Sequence, residues 1–433
     1  MKQSSEATQG LRPEPIISDR IRAAVERLGP GALSEESLQQ HVRPLFSRTL
    51  RRSEIYLANH SLGRPLDLMA DDVAEALNAW YGEMDGAWET WLKEQSTFRN
   101  NIASLIGMRR ADAVVPKVSA GQGLRAVLNA LPQVRPRVVA TRGEFDSIDF
   151  ILKTYALRGR IEVHWVDARP EEAAPPRLET ADILDAIERF RPDLVIVSHI
   201  YYATGQVLCG LDRVVDATHR QGGLILLDAF HSAGVLPLNL EDAGIDFAIG
   251  GSYKYTRGGP GAAWLALSGR TLQNPSLRTL DTGWFAKRDT FRFERPEEPL
   301  LAAGGDAWLE ATPAPLPLFQ ARSGLQLVLA MGVERLRKYS LDQLAQLTSL
   351  LESRGVAVRR GGTTPETSGA FLLVPHNDAP GACDALKREG VNVDARLGHL
   401  RLCPDVVTSS GEMRRASEII GRVLRGRPAS AGA

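Results

Sequence analysis

The sequence contains few cysteines, and none of them is spaced as a disulfide framework or a zinc site requires. Only three occur among 433 residues, Cys209, Cys383 and Cys403, an odd number without a C-x-x-C pair. This pattern is typical of a protein from a reducing compartment. We therefore expect a cytoplasmic protein that holds no metal ion.

Long apolar runs and an excess of one charge are also missing. No stretch approaches the roughly 18 apolar residues of a membrane span, and the first twenty residues lack the apolar core of a secretory signal. Lys and Arg number 52, as do Asp and Glu. A chain without excess positive charge has no electrostatic reason to bind nucleic acid. We expect a soluble protein whose ligand is a small molecule, with no nucleic-acid or membrane partner.

The pattern of residues 115–268 predicts a mostly parallel sheet covered by helices. Short β-branched apolar runs alternate there with amphipathic stretches. The predicted strands are 137–141, 161–166, 194–200, 223–229, 247–251 and 262–268, and the predicted crossover helices are 180–190 and 210–221. The sequence therefore predicts a doubly wound α/β domain.

The length favours two or three cooperating units at roughly 150 residues each. We predict an N-terminal arm and helix, partly disordered, over 1–50, a large domain over 51–310, a small α+β domain over 311–427 and a disordered tail over 428–433. The small domain should begin after a proline-rich joint with two helices, at about 320–338 and 340–353. Further elements should follow at 369–376, 379–390, 391–396 and 399–404.

Two predicted strands end in polar residues. Asp228 directly follows the apolar run 224–227 and His231 comes soon after it, while the strand around 248 ends in GGSYKYTRGGPG, which contains Lys254. Ligands of open α/β sheets bind beyond the carboxyl ends of the strands. A pyridine cofactor needs a carboxylate that keeps its ring nitrogen protonated and an amine that holds its aldehyde as a Schiff base. Asp228 and Lys254 supply both groups, so the sequence predicts an enzyme that uses pyridoxal 5'-phosphate (PLP) on an amino acid.

Each of these residues taken alone has a simpler interpretation. A strand-end Asp is often a helix cap, a Lys in a glycine-rich loop is often a surface charge, and a single His is often structural. The combination of DAFH with SYKYTRGGPG at this spacing is what favours the cofactor site.

The same region resembles kynureninase, within the class V group of fold-type-I PLP enzymes. DAFH followed by YKY and a glycine-rich turn is similar to that family's D-x-A-H and Y-K-Y pattern. IYLANHSLGRP (55–65) is similar to its YLxGNSLGxxP, and DTGWFAKRDTFRF (281–293) to its GWFGH and RF segment. The resemblance covers most of the chain and implies a fold-type-I PLP-dependent transferase-like fold.

For the cofactor, the resemblance implies a set of contacts carried over position by position. Lys254 would form the Schiff base, Asp228 would pair with the pyridinium nitrogen, and Tyr253 would bind the phosphate and take part in proton transfer. The other implied cofactor-binding residues are His231, Val118, Ser119, Phe145, Ser198, Trp284 and Thr312. Ser119 could equally be an ordinary N-cap, and Phe145 or Ser198 a core or cap residue. Trp284 and Thr312 would reach the phosphate from a neighbouring subunit, which implies a homodimer with shared active sites.

For the substrate, the resemblance points to the two ends of the chain. Arg401 in HLRLCPD matches an arginine whose planar fork can bind an α-carboxylate, although it could also be a surface arginine, and Arg396 is a weaker second candidate. His60 and Glu83 stand at the other positions where the family contacts its substrate. Glu83 replaces a His of the animal enzyme.

Several other positions depart from the family pattern around the substrate side chain. Thr312 stands where the animal enzyme has Asn, and Lys287 replaces the His of GWFGH. FDSIDF lacks the F-P-[ST]-D order, so the acid that normally follows the stacking aromatic is either Asp149 after a local shift or absent. These differences affect specificity more than cofactor binding.

The leading hypothesis is a kynureninase-like hydrolase that cleaves the Cβ–Cγ bond of kynurenine or a related amino acid. A class V aminotransferase, epimerase or C–S lyase acting on another amino acid is the main alternative. A desulfurase would need a mobile cysteine, and Cys403 follows the Arg401 strand with no evident flexible loop. A non-catalytic binding or regulatory protein is disfavoured because such a protein has no need of Lys254 beside Asp228 and Tyr253.

Overall fold

The computed structural model describes residues 13–171 and 174–425, so the predicted C-terminal tail and residues 1–12 of the predicted arm lie outside it. The strands are β1 (Ile55–Tyr56), β2 (Val114–Lys117), β3 (Arg137–Thr141), β4 (Glu162–Val166), β5 (Arg169–Glu171), β6 (Ala174–Arg177), β7 (Leu194–Ser198), β8 (Leu224–Asp228), β9 (Phe247–Gly251), β10 (Ala263–Leu267), β11 (Leu372–Pro375), β12 (Val391–Asn392), β13 (Asp394–Arg396) and β14 (His399–Leu402). The helices are α1 (Asp19–Glu26), α2 (Glu35–His41), α3 (Leu68–Glu83), α4 (Ala87–Ile106), α5 (Ala120–Leu128), α6 (Asp146–Leu157), α7 (Thr180–Phe190), α8 (Leu211–Arg220), α9 (Gly269–Gln273), α10 (Pro315–Met331), α11 (Val333–Glu352), α12 (Ala379–Arg388) and α13 (Ser410–Arg425).

A seven-stranded sheet in the order β2-β10-β9-β8-β7-β3-β4 forms the centre of the large domain, and only β10 runs antiparallel to its neighbours. Its strands are apolar because both faces are covered. In β7, Val195 and Val197 pack into one layer of the core while Leu194 and Ile196 pack into the other. Full burial of each such side chain contributes roughly 1.5–3 kcal/mol. The predicted α/β fold is confirmed.

The C-terminal part forms its own layer. A three-stranded antiparallel sheet, β11-β14-β13, packs with α11, α12 and α13 around one apolar cluster. The segment predicted as one element at 391–396 divides into two strands, because β12 pairs with β1 while β13 pairs with β14. Residues 55–56 thus join this layer, and the domain boundaries given above stay a prediction.

The two helices after the proline-rich joint begin and end earlier than predicted. α10 starts at Pro315, which suits the first helical turn because its missing N–H needs no partner there. Gly332, with φ of 81°, separates α10 from α11. This left-handed backbone favours glycine and breaks the helix between Met331 and Val333.

One buried carboxylate connects three distant segments of the chain. Asp405 accepts hydrogen bonds from Arg64 Nη1 at 3.0 Å and from Arg257 Nη1 at 2.9 Å, and all three side chains are buried. Arg64 follows β1, and Arg257 follows β9. This buried cluster therefore fixes the loop after β9 to both ends of the chain.

No helix in the described ranges is long and apolar enough to cross a membrane. Within the same ranges, no group of three His, Cys, Asp or Glu side chains is arranged to hold a metal ion.

Candidate active site

A cavity of about 660 Å³ opens at the carboxyl ends of β3, β8 and β9, and residues from the start of α5 complete its wall. Its volume suits a ligand of cofactor size. Seven of the predicted site residues line it: Val118, Ser119, Phe145, Asp228, His231, Tyr253 and Lys254. The structure therefore brings together the residues predicted at the strand ends and at the helix start.

Lys254 lies in the loop after β9 and is buried in this cavity. Its Nζ is 2.5 Å from His231 Nε2 and 4.7 Å from the centroid of the Phe230 ring. Burial lowers the pKa of the Lys254 ammonium to about 7, against an opposing effect of Asp228. A large fraction of the amine is thus neutral near pH 7, which is the form that attacks an aldehyde.

The Lys254 loop leaves no space for a side chain on the segment that crosses it. Gly63 N donates to Tyr253 O at 2.8 Å, and a Cβ at Gly63 would stand 2.0 Å from Lys254 O. Only glycine permits this approach, because any Cβ would collide with backbone. The N-terminal segment therefore packs directly against the backbone of Lys254.

Asp228 ends β8 and is held in place by its own loop. Its Oδ1 accepts a hydrogen bond from Phe230 N at 2.8 Å. Burial raises the pKa of Asp228, while that hydrogen bond and Lys254 lower it. A buried carboxylate with so few partners is stabilised by a cation, which is what a protonated pyridine nitrogen would supply.

Glu144 is a second buried acid beside Asp228, and the sequence did not single it out. Ser198 Oγ donates to Glu144 Oε2 at 2.6 Å and Thr141 Oγ1 donates to Oε1 at 2.6 Å. Burial, with a smaller contribution from the charge of Asp228, raises the pKa of Glu144 to about 8 against the opposing effect of these hydrogen bonds. Glu144 is therefore mostly protonated at neutral pH. Ser198 is the cross-strand neighbour of Asp228 and lies behind the cavity wall.

Glu144→Gln is expected to remove a pH dependence of folding stability. The pKa of Glu144 is near 8 in the folded protein, against an ordinary value of 4.5. The folded state therefore binds this proton more tightly than the unfolded state does. The resulting contribution to the free energy of unfolding is fully present below pH 4.5 and is lost as the pH rises to 8. Relative to the wild type, the glutamine variant should gain up to a few kcal/mol between pH 5 and pH 8. Urea midpoints at both pH values measure this. Parallel pH curves would contradict it, and exposed Glu188→Gln is the matched control.

The start of α5 forms the other end of the cavity. Ser119 is the N-cap of α5 and its Oγ accepts from Gln122 N, while Val118 N donates to Gln122 Oε1 at 2.9 Å. Arg125 lines the same end, with its Nη1 3.7 Å from the place of a Cβ on Gly121. A helix N-terminus with an arginine folded back over it is suited to an anionic group.

The aromatic wall lies between these two ends. Phe145 precedes α6, and the centroid of its ring lies 5.6 Å from Lys254 Nζ and 5.2 Å from the ring of Tyr202. Burial raises the pKa of the Tyr253 hydroxyl, as does the charge of Asp228, so Tyr253 stays protonated at neutral pH. Asp149 is the residue that the sequence offered as the acid following the stacking aromatic. It pairs with Lys153 on α6 and does not line the cavity.

Three predicted residues lie away from the cavity. Trp284 Nε1 donates to Thr312 Oγ1 at 3.2 Å, and Thr312 lines a neighbouring depression that shares Val118 with the cavity. Glu83 is exposed at the end of α3. Their roles at the phosphate and substrate stay predictions.

Arg401 and His60 are brought together, and neither is among the residues that line the cavity. Arg401 Nε donates to Asp394 Oδ1 at 2.7 Å, and His60 Nε2 lies 2.9 Å from the same oxygen. Arg401 is 3% exposed and His60 is 0% exposed. Arg396, the weaker candidate, donates to the carbonyl of Ala395 at 2.7 Å.

The cavity fits the cofactor predicted from the sequence. It offers a buried and partly neutral amine at Lys254, a buried carboxylate at Asp228 that accepts a hydrogen bond from Phe230 N, and a helix start for a phosphate. His231 Nδ1 is buried with no hydrogen-bond partner in the described chain, which leaves it available to a ligand.

Solved structures share this fold. The cysteine desulfurase of Thermococcus onnurineus NA1 superimposes with a TM-score of 0.75 at 16% identity over 90% of this chain and 98% of that one. A lysine variant of C-DES with glycine covalently linked to its PLP cofactor gives a TM-score of 0.77 at 18% identity, over 88% and 98% of the two chains. The fold is that of the fold-type-I PLP enzymes.

Sequence comparison gives the family. The class V aminotransferase model matches residues 75–400. Kynureninase of Salinispora tropica is 30% identical over 92% of this chain and 94% of its own length, and kynureninase of Shouchella clausii is 28% identical over 81% and 83%. The chain belongs to the class V aminotransferase family, and both of these relatives are named kynureninase. It is a PLP-dependent enzyme.

Proposed function

We propose that the protein is a kynureninase-like hydrolase that converts kynurenine, or a related amino acid, to alanine and an aromatic acid. The observation that carries this proposal is that Lys254 and Asp228 line the same cavity. The chain also matches relatives named kynureninase over most of their length. When bound, PLP supplies an electron sink next to the amine-bearing carbon of the substrate.

The residues of the chain have separate tasks in this proposal. Lys254 moves a proton from Cα of the substrate, since its lowered pKa lets it accept and return protons near pH 7. Tyr253, protonated at neutral pH, is placed to donate a proton within the same cavity. Arg401 holds the α-carboxylate of the substrate.

The overall reaction consumes one water. The water oxygen adds to the γ-carbonyl carbon, the Cβ–Cγ bond breaks, and the electron pair of that bond remains on Cβ. Cβ then takes a proton, which gives alanine, while the former carbonyl carbon leaves as a carboxylate. Kynurenine would yield anthranilate.

We also propose a homodimer with shared sites. A partly exposed cluster of aromatic rings joins α3 and α4 to residues 284–293. Each ring contacts the next in the order Trp80, Trp91, Trp88, Phe291, Trp284 and Phe293. Phe293 is 66% exposed and Trp80 is 50% exposed. Aromatic surface of this kind is favoured at protein interfaces, and it adjoins the residues predicted to reach a neighbouring site.

Another class V reaction on a different amino acid is the second candidate, because Glu83, Thr312 and Lys287 differ from the family where the substrate side chain should lie. A desulfurase mechanism is disfavoured. Burial raises the pKa of the Cys403 thiol far above its ordinary value, so it does not supply a thiolate.

Incubation of the purified holoenzyme with kynurenine and with 3-hydroxykynurenine tests the proposal. We expect alanine and the corresponding anthranilate in equal amounts, followed by anthranilate fluorescence and amino-acid analysis, and no product from Lys254→Ala protein. An enzyme that binds PLP but releases neither product from either substrate would favour the second candidate.

A further inference from the structure

Asp394 connects two of the predicted substrate residues, His60 and Arg401, although the sequence analysis assigned it no role. It begins β13, and its cross-strand neighbour on β14 is Arg401. Arg401 Nε donates to Asp394 Oδ1 at 2.7 Å, and Nη2 donates to Oδ2. The carboxylate thus occupies one complete edge of the guanidinium in a bidentate pair.

His60 binds the same carboxylate from another part of the chain. It follows β1 in sequence, is fully buried, and its Nε2 lies 2.9 Å from Asp394 Oδ1. Its ring lies 4.8 Å from that of Phe371, over which the Arg401 guanidinium also lies at 5.4 Å. One carboxylate and one aromatic ring therefore fix both His60 and Arg401.

Burial and hydrogen bonding determine the charge states of His60 and Asp394 at neutral pH. Burial lowers the pKa of His60 to about 4 despite its hydrogen bond to Asp394, so the imidazole is neutral at pH 7 and donates from Nε2. Burial alone would raise the pKa of Asp394, but the hydrogen bonds from His60 and Arg401 and the positive charge of Arg401 hold it well below its ordinary value. Asp394 is therefore a permanent anion.

A count of the donors on Arg401 shows what is left for a ligand. A guanidinium has five N–H groups. Nε and one N–H of Nη2 are used by Asp394, and one N–H of Nη1 is donated to Tyr202 O. One N–H on each terminal nitrogen remains for a further carboxylate.

We propose that Asp394 is a positioning residue that joins Arg401 and His60 into one rigid unit and leaves only the Nη1–Nη2 end of Arg401 to bind the substrate's α-carboxylate. This inference rests on the proposed role of Arg401. It assigns Asp394 to recognition of the carboxylate and gives it no contact with the reacting atoms.

The test compares two ligands that differ by a carboxylate. L-alanine and ethylamine are titrated into the holoenzyme, and dissociation constants are read from the absorbance of the bound cofactor. Asp394→Asn should weaken L-alanine binding about 10- to 100-fold, because an amide cannot pair bidentately with arginine as an anion does, and should leave ethylamine binding within about twofold. Asp394→Glu, which keeps the charge but displaces it, should give a smaller loss. Exposed Asp384→Asn on α12 is the matched control.

The outcomes separate this inference from the proposed function. Equal losses for both ligands in Asp394→Asn and Asp394→Glu would mean a general structural role and overturn the inference, as would no loss for either ligand. If Arg401→Gln abolishes the preference for alanine while the Asp394 variants retain it, only the inference fails. If Arg401→Gln retains the preference, the proposed role of Arg401 fails and the inference fails with it.

Discussion

Lys254→Ala protein is expected to lose the covalent bond to its cofactor and nearly all activity. The wild type should be yellow, with an absorption band that borohydride removes by reducing the imine. The variant should lack that reducible band. Its turnover should fall at least about 10³-fold, since the lysine is both the anchor of the cofactor and the base that moves protons at the substrate.

The matched control is Lys153→Ala. Lys153 lies on α6, pairs with Asp149 at the surface and does not line the cavity. It should keep the colour and the activity of the wild type. A wild type that stays colourless after PLP is added, or a Lys254→Ala protein with an unchanged reducible band, would contradict the assignment of Lys254.

Asp228→Asn is expected to keep the fold and the colour but to slow turnover by on the order of 10²-fold. The amide has nearly the shape of the carboxylate and can still accept the hydrogen bond from Phe230 N. It carries no charge, however, and so does not hold a proton on the pyridine nitrogen. Turnover at saturating substrate measures the effect. We expect turnover to fall by a larger factor than the affinity for PLP.

Exposed Asp216→Asn on α8 is the control for Asp228→Asn and should change neither quantity. If Asp228→Asn retains the turnover of the wild type, Asp228 does not pair with the cofactor nitrogen. Glu144, the other buried acid at this edge of the sheet, would then be the next residue to test, because Ser198 places it beside Asp228.

The sequence predicted those features that depend on local pattern. The strands β3, β4 and β7 to β10 and the helices α7 and α8 could be predicted because apolar residues repeat with the periods of strands and helices. Asp228 and Lys254 were found together because β8 and β9 end at the same edge of the sheet.

Features that depend on strand order and register could not be predicted in this way. Glu144 faces Ser198 only because β3 lies beside β7, a neighbour distant in sequence. Asp394 opposes Arg401 only because β13 and β14 pair in one particular register. The alternation of polar and apolar residues along the chain reveals neither the strand order nor the register. Sequence reasoning therefore could not identify Glu144 and Asp394 as members of the site.

The buried cluster around Asp405 has a consequence for how the enzyme matures. Arg64 and Asp405 are 341 positions apart in the chain, and Arg257 and Asp405 are 148 apart. The loop that carries Lys254 therefore acquires this anchor only after synthesis has passed Asp405 and that residue has left the ribosome. We expect the growing chain to remain unable to capture its cofactor until that late stage, and C-terminal truncations before Asp405 to remain colourless.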